Sequence, residues 1–91
     1  MARDFSGKTV VVTGAAGGLG RALCLRFAAV GARIVALDRD DAVLQGLTFA
    51  DGADVLRIAC DVSNEADCIR AMAEARRAFG GVDVLINNAG I

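Results

Sequence analysis

The segment of this chain best suited to chemistry is a glycine-rich run from Thr13 to Gly20. It follows the β-branched residues 9–12 and precedes a helix-like stretch, so it is predicted to be the turn between a strand and a helix. Gly14, Gly18 and Gly20 allow positive φ angles and a close approach of the backbone to a ligand. The free N–H groups at the start of the helix would point at that ligand. A phosphate group suits such a site best.

A carboxylate, Asp38, stands at the end of the second predicted strand. An acidic side chain there can accept hydrogen bonds from both hydroxyls of an adenosine ribose. A 2′-phosphate in that place would bring like charges within a few Å, at a cost of up to about 4 kcal/mol per charge pair at an effective dielectric constant of about 20. NAD is therefore expected rather than NADP. Arg39 could turn toward a phosphate and reduce this discrimination, and Asp38 could instead be a turn or helix-capping residue.

Two further groups are predicted at the same edge of the sheet. The Asp61 carboxylate could accept from an adenine amino group while Val62 packs on the ring; alternatively, Asp61 is a turn residue whose oxygens accept from nearby N–H groups. The fourth strand leads into Asn87, Asn88, Ala89 and Gly90. This run either lines the ligand crevice or is only a polar strand end.

No group in the sequence is suited to acid–base or nucleophilic catalysis. Histidine and tyrosine are absent, and histidine is the commonest general base and metal ligand. The only lysine, Lys8, begins the first strand, away from the crevice, and neither serine has a base beside it. The three cysteines match no metal or redox spacing and are predicted to be free thiols: Cys24, Cys60 and Cys68. We therefore expect no catalytic residue and no metal site in this segment.

The elements that would position these residues alternate along the chain. Strands are predicted at residues 8–13, 33–37, 54–59 and 82–87, and helices at 19–30, at 41–47 and from an N-cap at Ser63 to Gly80. Strands that alternate with helices imply a parallel sheet with right-handed crossovers. We predict an α/β fold, a Rossmann-like doubly wound sheet in the order 3-2-1-4, with ligand binding between strands 1 and 4.

Composition excludes several kinds of partner. The chain has 91 residues, a net charge of −1 and 55% hydrophobic residues. Its charges are interspersed, so there is no basic stripe for nucleic acid and no polybasic anchor for a membrane. No stretch approaches the roughly 18 apolar residues of a membrane span. We expect no nucleic-acid or membrane partner and a cytoplasmic location.

The two motifs together make the chain resemble the N-terminal part of a short-chain dehydrogenase/reductase. The T-G-x-x-x-G-x-G motif of that family is matched by the run Thr13 to Gly20, which includes Leu19, and its N-N-A-G motif by Asn87 to Gly90. The resemblance covers essentially the whole chain. It implies that the glycine turn holds a pyrophosphate, that Asp38 holds the adenine ribose, and that Asp61 contacts adenine. It also implies that N-N-A-G braces the sheet and lines the adenosine side.

The activity implied by the resemblance is NAD-dependent hydride transfer between nicotinamide and an alcohol or carbonyl substrate. Residues 1–91 would be the N-terminal part of a single NAD(P)-binding domain. The catalytic serine, the Tyr-x-x-x-Lys pair and the supporting asparagine of the family would lie beyond it, so this segment alone is expected to be inactive. The full-length protein is expected to be a homodimer or homotetramer.

Two alternatives remain open. A non-catalytic nucleotide-binding half-module would need a partner to cover the apolar edge at residues 82–86. A methyltransferase that binds S-adenosylmethionine shares a glycine turn and a ribose-binding acid, but Thr13-Gly14 and the N-N-A-G run favour the oxidoreductase.

Overall fold

The computed structural model describes residues 4–89. The strands and helices alternate along the chain: β1 (Thr9–Thr13), α1 (Gly18–Ala29), β2 (Arg33–Asp38), α2 (Asp41–Gln45), β3 (Val55–Ala59), α3 (Glu65–Phe79) and β4 (Val84–Ile86). All strand pairs are parallel, and the strands lie in the order β3-β2-β1-β4. The predicted α/β fold and its 3-2-1-4 order are therefore confirmed.

The central strands, β1 and β2, are buried on both faces, which explains their nearly continuous apolar residues. On one face, Val10 and Ile34 belong to a cluster with Cys24 of α1 and Leu44 of α2. On the other face, the alternate strand residues pack with Ala71 and Ala75 of α3: Val11, Val35, Leu37 and Ile58. Successive side chains of a strand point to opposite faces, so β1 and β2 supply both layers of the core. β4 supplies Val84 and Ile86 to the first layer and leaves Leu85 exposed.

The predicted N-cap of α3 is wrong by one residue. Asn64 caps the helix, because its side-chain oxygen accepts from the Asp67 N–H at 3.0 Å. The hydroxyl of Ser63 instead donates to Asp61 Oδ1 at 2.6 Å. The predicted end at Gly80 is confirmed: its φ of +87° is left-handed, and its N–H donates to the Arg76 carbonyl at 2.7 Å.

The ends of β4 and α2 also differ from the prediction. β4 covers only Val84–Ile86, and hydrogen bonds that involve side chains lie on either side of it. Asp83 accepts from the Thr9 N–H at 2.8 Å, and the Asn88 N–H donates to the hydroxyl of Thr13 at 2.9 Å. α2 stops at Gln45, where the Gly46 N–H donates to the Val43 carbonyl in a tight turn. The remaining ends agree to within one residue.

Candidate functional site

The glycine turn brings β1 and α1 against the end of β4. Gly14 has a φ of +65°, and a Cβ atom there would lie 3.0 Å from Asn88 Nδ2 and 3.3 Å from Ala89 Cα. A Cβ atom on Gly20 would overlap the carbonyl group of Gly14 and would lie 2.9 Å from Ala15 Cα. The close packing of α1 on the turn therefore requires glycine at both positions.

The start of α1 forms an open cradle for an anion. Its N-cap, Gly17, has no side chain to accept from the first-turn N–H groups, and no acidic residue lies in that turn. A Cβ atom on Gly18 would meet nothing within 4 Å. Free N–H groups and the positive end of the helix dipole favour a negatively charged group. The donors present here fit a pyrophosphate.

Asp38 is held at the end of β2 by two backbone donors. Its Oδ2 accepts from the Ala16 N–H at 3.0 Å, and its Oδ1 accepts from the Asp40 N–H at 2.9 Å. A carboxylate oxygen can accept two hydrogen bonds, so each oxygen keeps capacity for a hydroxyl of a ligand. The bond to Ala16 also ties the glycine turn to β2.

A pocket of about 300 Å³ opens between the glycine turn and the ends of the strands. The Cys60 N–H donates to the Asp38 carbonyl at 2.8 Å, which extends the β2–β3 pairing and brings Asp38 toward Asp61. Residues from four loops line the pocket: Gly14, Asp38, Arg39, Cys60, Asp61, Val62, Ser63 and Ala89. This arrangement offers carboxylates and an apolar wall on one side of the anion cradle.

Asp61 takes part in a local turn, which was the alternative to adenine binding in the sequence analysis. Its Oδ1 accepts from the hydroxyl of Ser63 at 2.6 Å and from the Ser63 N–H at 3.0 Å. These two hydrogen bonds hold the pKa of the Asp61 carboxyl below its ordinary value. The Asp61 N–H donates to Asp67 Oδ2 at 3.1 Å. Asp61 is therefore a turn residue that also lines the pocket.

The end of β4 is fastened to the glycine turn by Thr13. Its hydroxyl oxygen accepts from the N–H groups of Asn88 and Ala89 at 2.9 and 3.0 Å, and it donates to Asn87 Oδ1 at 3.2 Å. Asn88 Nδ2 donates to the Gly14 carbonyl at 3.3 Å. The last residue of the predicted N-N-A-G site, Gly90, lies outside the described residues.

Sequence reasoning missed three contributors to this site. The Ala16 N–H fixes Asp38, and Cys60 and Ser63 line the pocket. Ala16 belongs to the glycine run, and Cys60 and Ser63 adjoin predicted site residues, but none has a side chain that signals binding by itself. Leu19, predicted as part of the site, is 58% exposed beside the cradle and does not line the pocket.

Within residues 4–89, no helix is long and apolar enough to cross a membrane. No three His, Cys, Asp or Glu side chains in that range are grouped so that they could hold a metal ion.

The comparisons with known proteins agree on one family. The family model described as short chain dehydrogenase matches residues 8–91. A cis-2,3-dihydrobiphenyl-2,3-diol dehydrogenase from Pseudomonas sp. (strain KKS102) is 49% identical, with 97% of this chain and 32% of the relative covered.

Solved structures give the same result. A short-chain type dehydrogenase/reductase from Mycobacterium marinum superposes with a TM-score of 0.89 at 33% identity, over 98% of this chain and 37% of that one. A 3-ketoacyl-(acyl-carrier-protein) reductase from Brucella melitensis complexed with NADH gives a TM-score of 0.82 at 39% identity, over 90% of this chain and 34% of that one. The chain thus spans about a third of the length of the relatives it matches. With the family model matched over nearly its whole length, this chain belongs to the short-chain dehydrogenase family.

Proposed function

We propose that this chain is the dinucleotide-binding part of an NAD(H)-dependent oxidoreductase that transfers hydride between nicotinamide and an alcohol or carbonyl substrate. The observation that carries the proposal is Asp38, whose two oxygens are fixed by backbone N–H groups at the mouth of the pocket, next to the anion cradle. An acid in that place is suited to a ribose diol. NAD, when bound, supplies the hydride chemistry.

In this proposal each predicted site residue has one task. The N–H groups of the cradle, at Gly18, Leu19 and Gly20, bind the pyrophosphate, and Gly14 permits the turn. Asp38 accepts from the adenine ribose, while Asp61 and Val62 contact adenine. Asn87, Ala89 and Gly90 close the adenosine side of the crevice.

Asp38 also supports NAD over NADP. A 2′-phosphate would meet the Asp38 carboxylate, which lines the pocket, and like charges a few Å apart repel by up to about 4 kcal/mol at an effective dielectric constant of about 20. Arg39 lines the same pocket and is exposed, so it is the residue that would reduce the preference. The related Brucella melitensis structure is a complex with NADH.

The remaining features of the whole protein are part of the same proposal. Its catalytic serine and Tyr-x-x-x-Lys pair are expected outside residues 1–91, so this segment alone binds cofactor without turnover. Its substrate is a small alcohol or ketone, its assembly a homodimer or homotetramer, and its location cytoplasmic. Membership of the dehydrogenase family does not favour the methyltransferase alternative.

The test is calorimetric titration of the intact protein that carries this chain, with NAD and NADP in parallel. We expect measurable NAD binding, weaker NADP binding, and reduction of NAD by an alcohol panel. NAD binding without turnover of any alcohol or carbonyl would favour the non-catalytic half-module. No binding of either dinucleotide would overturn the proposal.

A further inference from the structure

Strand β3 has one edge that pairs with no other strand of residues 4–89. It lies at one end of the order β3-β2-β1-β4 and pairs with β2 alone. Just outside its two ends, the Asp54 carbonyl and the Cys60 N–H both bond to β2 at 2.8 Å. Alternate residues of a strand direct their backbone groups to opposite sides, so those of Val55, Arg57 and Ala59 face away from β2. These groups form a free edge at which another strand could pair.

The sequence of β3 favours pairing of this kind. Val55–Ala59 reads Val-Leu-Arg-Ile-Ala, and Arg57 is its only charged or polar residue. Short segments that combine high β-propensity with low charge and contain no proline are the ones that stack on copies of themselves. An edge strand with such a sequence therefore needs a feature that prevents pairing.

Arg57 points inward from β3 and carries a charge that no described residue neutralises. Its Nη2 donates to the Leu47 carbonyl at 2.6 Å, and its guanidinium lies 5.5 Å from the centre of the Phe49 ring. Its Nε is buried and has no hydrogen-bond partner within residues 4–89. Both ion pairs in that range use Arg70. Because Arg57 is only half-buried, its charge depends on the water that still reaches it.

Arg70 approaches the same edge from the other face of the sheet. It lies on α3, and its Nη2 donates to the Ala59 carbonyl at 2.8 Å. Asp67 and Glu74 hold its guanidinium at 3.5 and 3.3 Å. The last backbone acceptor of the free edge is therefore already occupied.

We propose that Arg57 and Arg70 prevent the free edge of β3 from pairing with β3 of a second copy of this chain. A second copy fits because it offers the same row of unpaired groups, which a two-fold axis brings into antiparallel register. The added strand would exclude water from Arg57, and a buried charge without a carboxylate partner is costly. It would also have to displace Arg70 from the Ala59 carbonyl. This inference does not depend on the proposed function.

The experiment uses the intact protein that carries this chain. Arg57→Met removes the charge and keeps an unbranched side chain beside Phe49. Arg57→Gln is a second neutral variant, which retains a donor for the Leu47 carbonyl in case the methionine variant folds poorly; circular dichroism reports the folding of both. Light scattering over a concentration series measures assembly. Hydrogen exchange of a peptide that spans residues 55–59 shows whether the β3 edge takes part.

Two further variants are matched controls. Arg57→Lys keeps the positive charge at the same position of β3. Arg77→Met makes the same exchange of residue types at an exposed position in the last turn of α3. It therefore measures the effect of net charge and surface hydrophobicity alone.

We expect the neutral Arg57 variants to assemble at concentrations at least about tenfold below those that assemble the wild type. Exchange at residues 55–59 should become slower as their concentration rises. Arg57→Lys and Arg77→Met should behave as the wild type. Adding Arg70→Ala to Arg57→Met releases the Ala59 carbonyl and should promote assembly further.

Four results would overturn the proposal. The first is assembly of the folded neutral variants no greater than that of the wild type, and the second is assembly without slower exchange at residues 55–59. The third is equal assembly of Arg57→Lys and Arg57→Met, which would show that the charge is not the cause. The fourth is equal assembly of Arg77→Met, which would assign the effect to the surface as a whole. If Arg70→Ala adds nothing, the part assigned to Arg70 is wrong.

Discussion

At the scale of single residues, Asp38 connects the backbone of two loops with the choice of cofactor. Its oxygens accept from the N–H groups of Ala16 and Asp40, at 3.0 and 2.9 Å. Each charge-assisted hydrogen bond to a ribose hydroxyl contributes roughly 1.5–3 kcal/mol. Replacing Asp38 by alanine should therefore weaken NAD binding roughly 10- to 100-fold and narrow the gap between NAD and NADP, measured by titration with both dinucleotides.

A matched control for this change is Asp40→Asn. Asp40 caps α2 by accepting from the Val43 N–H at 3.2 Å, and asparagine is an equally good N-cap. The variant thus removes one negative charge two residues away and leaves the cap in place. It should keep the cofactor preference of the wild type. A preference that is unchanged in Asp38→Ala would remove the role assigned to Asp38.

Substitutions at Gly18 and Gly20 distinguish an effect on stability from an effect on ligand binding. A Cβ atom on Gly20 would overlap the Gly14 carbonyl, whereas one on Gly18 would point into open space. Gly20→Ala should lower the free energy of unfolding by roughly 1–3 kcal/mol, as measured by denaturant titration. Gly18→Ala should leave stability within about 1 kcal/mol of the wild type, since alanine is the better helix former, and should weaken NAD binding. Equal effects of the two changes on stability would contradict this assignment.

Ser63 contributes to the acidity of Asp61. Its hydroxyl and its N–H hold the pKa of the Asp61 carboxyl below the ordinary value. A group whose pKa is lowered on folding stabilises the fold above its unfolded pKa, and this contribution is lost as the pH falls through its folded pKa. Ser63→Ala removes the first of the two bonds and should raise the pKa of Asp61, followed by carboxyl carbon NMR during an acid titration. The backbone bond remains, so the shift should be partial; no shift would mean that the hydroxyl has no effect.

At the scale of elements, the first turn of α3 fixes the segment that carries Asp61. Asp67 accepts from the Asp61 N–H at 3.1 Å and pairs with Arg70 at 3.5 Å, while Arg70 also donates to the Ala59 carbonyl at 2.8 Å. Asp67→Ala should therefore release the turn after β3 and weaken NAD binding several-fold, which corresponds to about 1 kcal/mol of binding free energy.

Glu74→Gln is the control for the ion pair. Glu74 pairs with the same Arg70 at 3.3 Å, one turn further from the pocket than Asp67. Exposed pairs of this kind contribute about 0–1 kcal/mol. If Glu74→Gln weakened NAD binding as much as Asp67→Ala, the effect would belong to Arg70 or to helix stability, and Asp67 would have no separate positioning role.

The elements were largely predictable because their signals are local. Apolar runs, glycine stops at Gly31 and Gly80, and the alternation of strand and helix patterns are all present in the sequence. The errors lie where a contact distant in the chain decides the outcome. The flanks of β4 bond to Thr9 and Thr13, more than seventy residues away, through the Asp83 side chain and the Asn88 N–H. The cap at Asn64 replaces Ser63 because Asp61 engages the serine.

The sequence predicts where the site lies, but it does not predict which contacts form the site. Glycines, a strand-end acid and the N-N-A-G run mark the crevice by residue type, since parallel strands bring their carboxyl ends to one edge. The Ala16 N–H, which fixes one oxygen of Asp38, carries no such mark.

At the scale of the whole molecule, the described residues leave apolar surface beside a short edge strand. Leu85 of β4 is 55% exposed, and Ile69 of α3 is 64% exposed. Leu85 borders a furrow between the sheet and α3 that Val62 and Met72 also line. Within residues 4–89, β4 is paired with β1 alone. An apolar edge strand of this kind favours association with other chains.

Expressed by itself, the 91-residue chain should therefore be weakly folded or self-associating, as measured by light scattering over a concentration series and by thermal melting. Leu85→Lys places a charge on the apolar edge and should reduce association. Val43→Lys is the control, because Val43 is similarly exposed, at 48%, but lies on α2 away from β4. It should leave association unchanged. A monodisperse wild-type monomer that melts cooperatively would show that the β4 edge is stable without a partner chain. Equal effects of Leu85→Lys and Val43→Lys would assign the association to net charge instead of to β4.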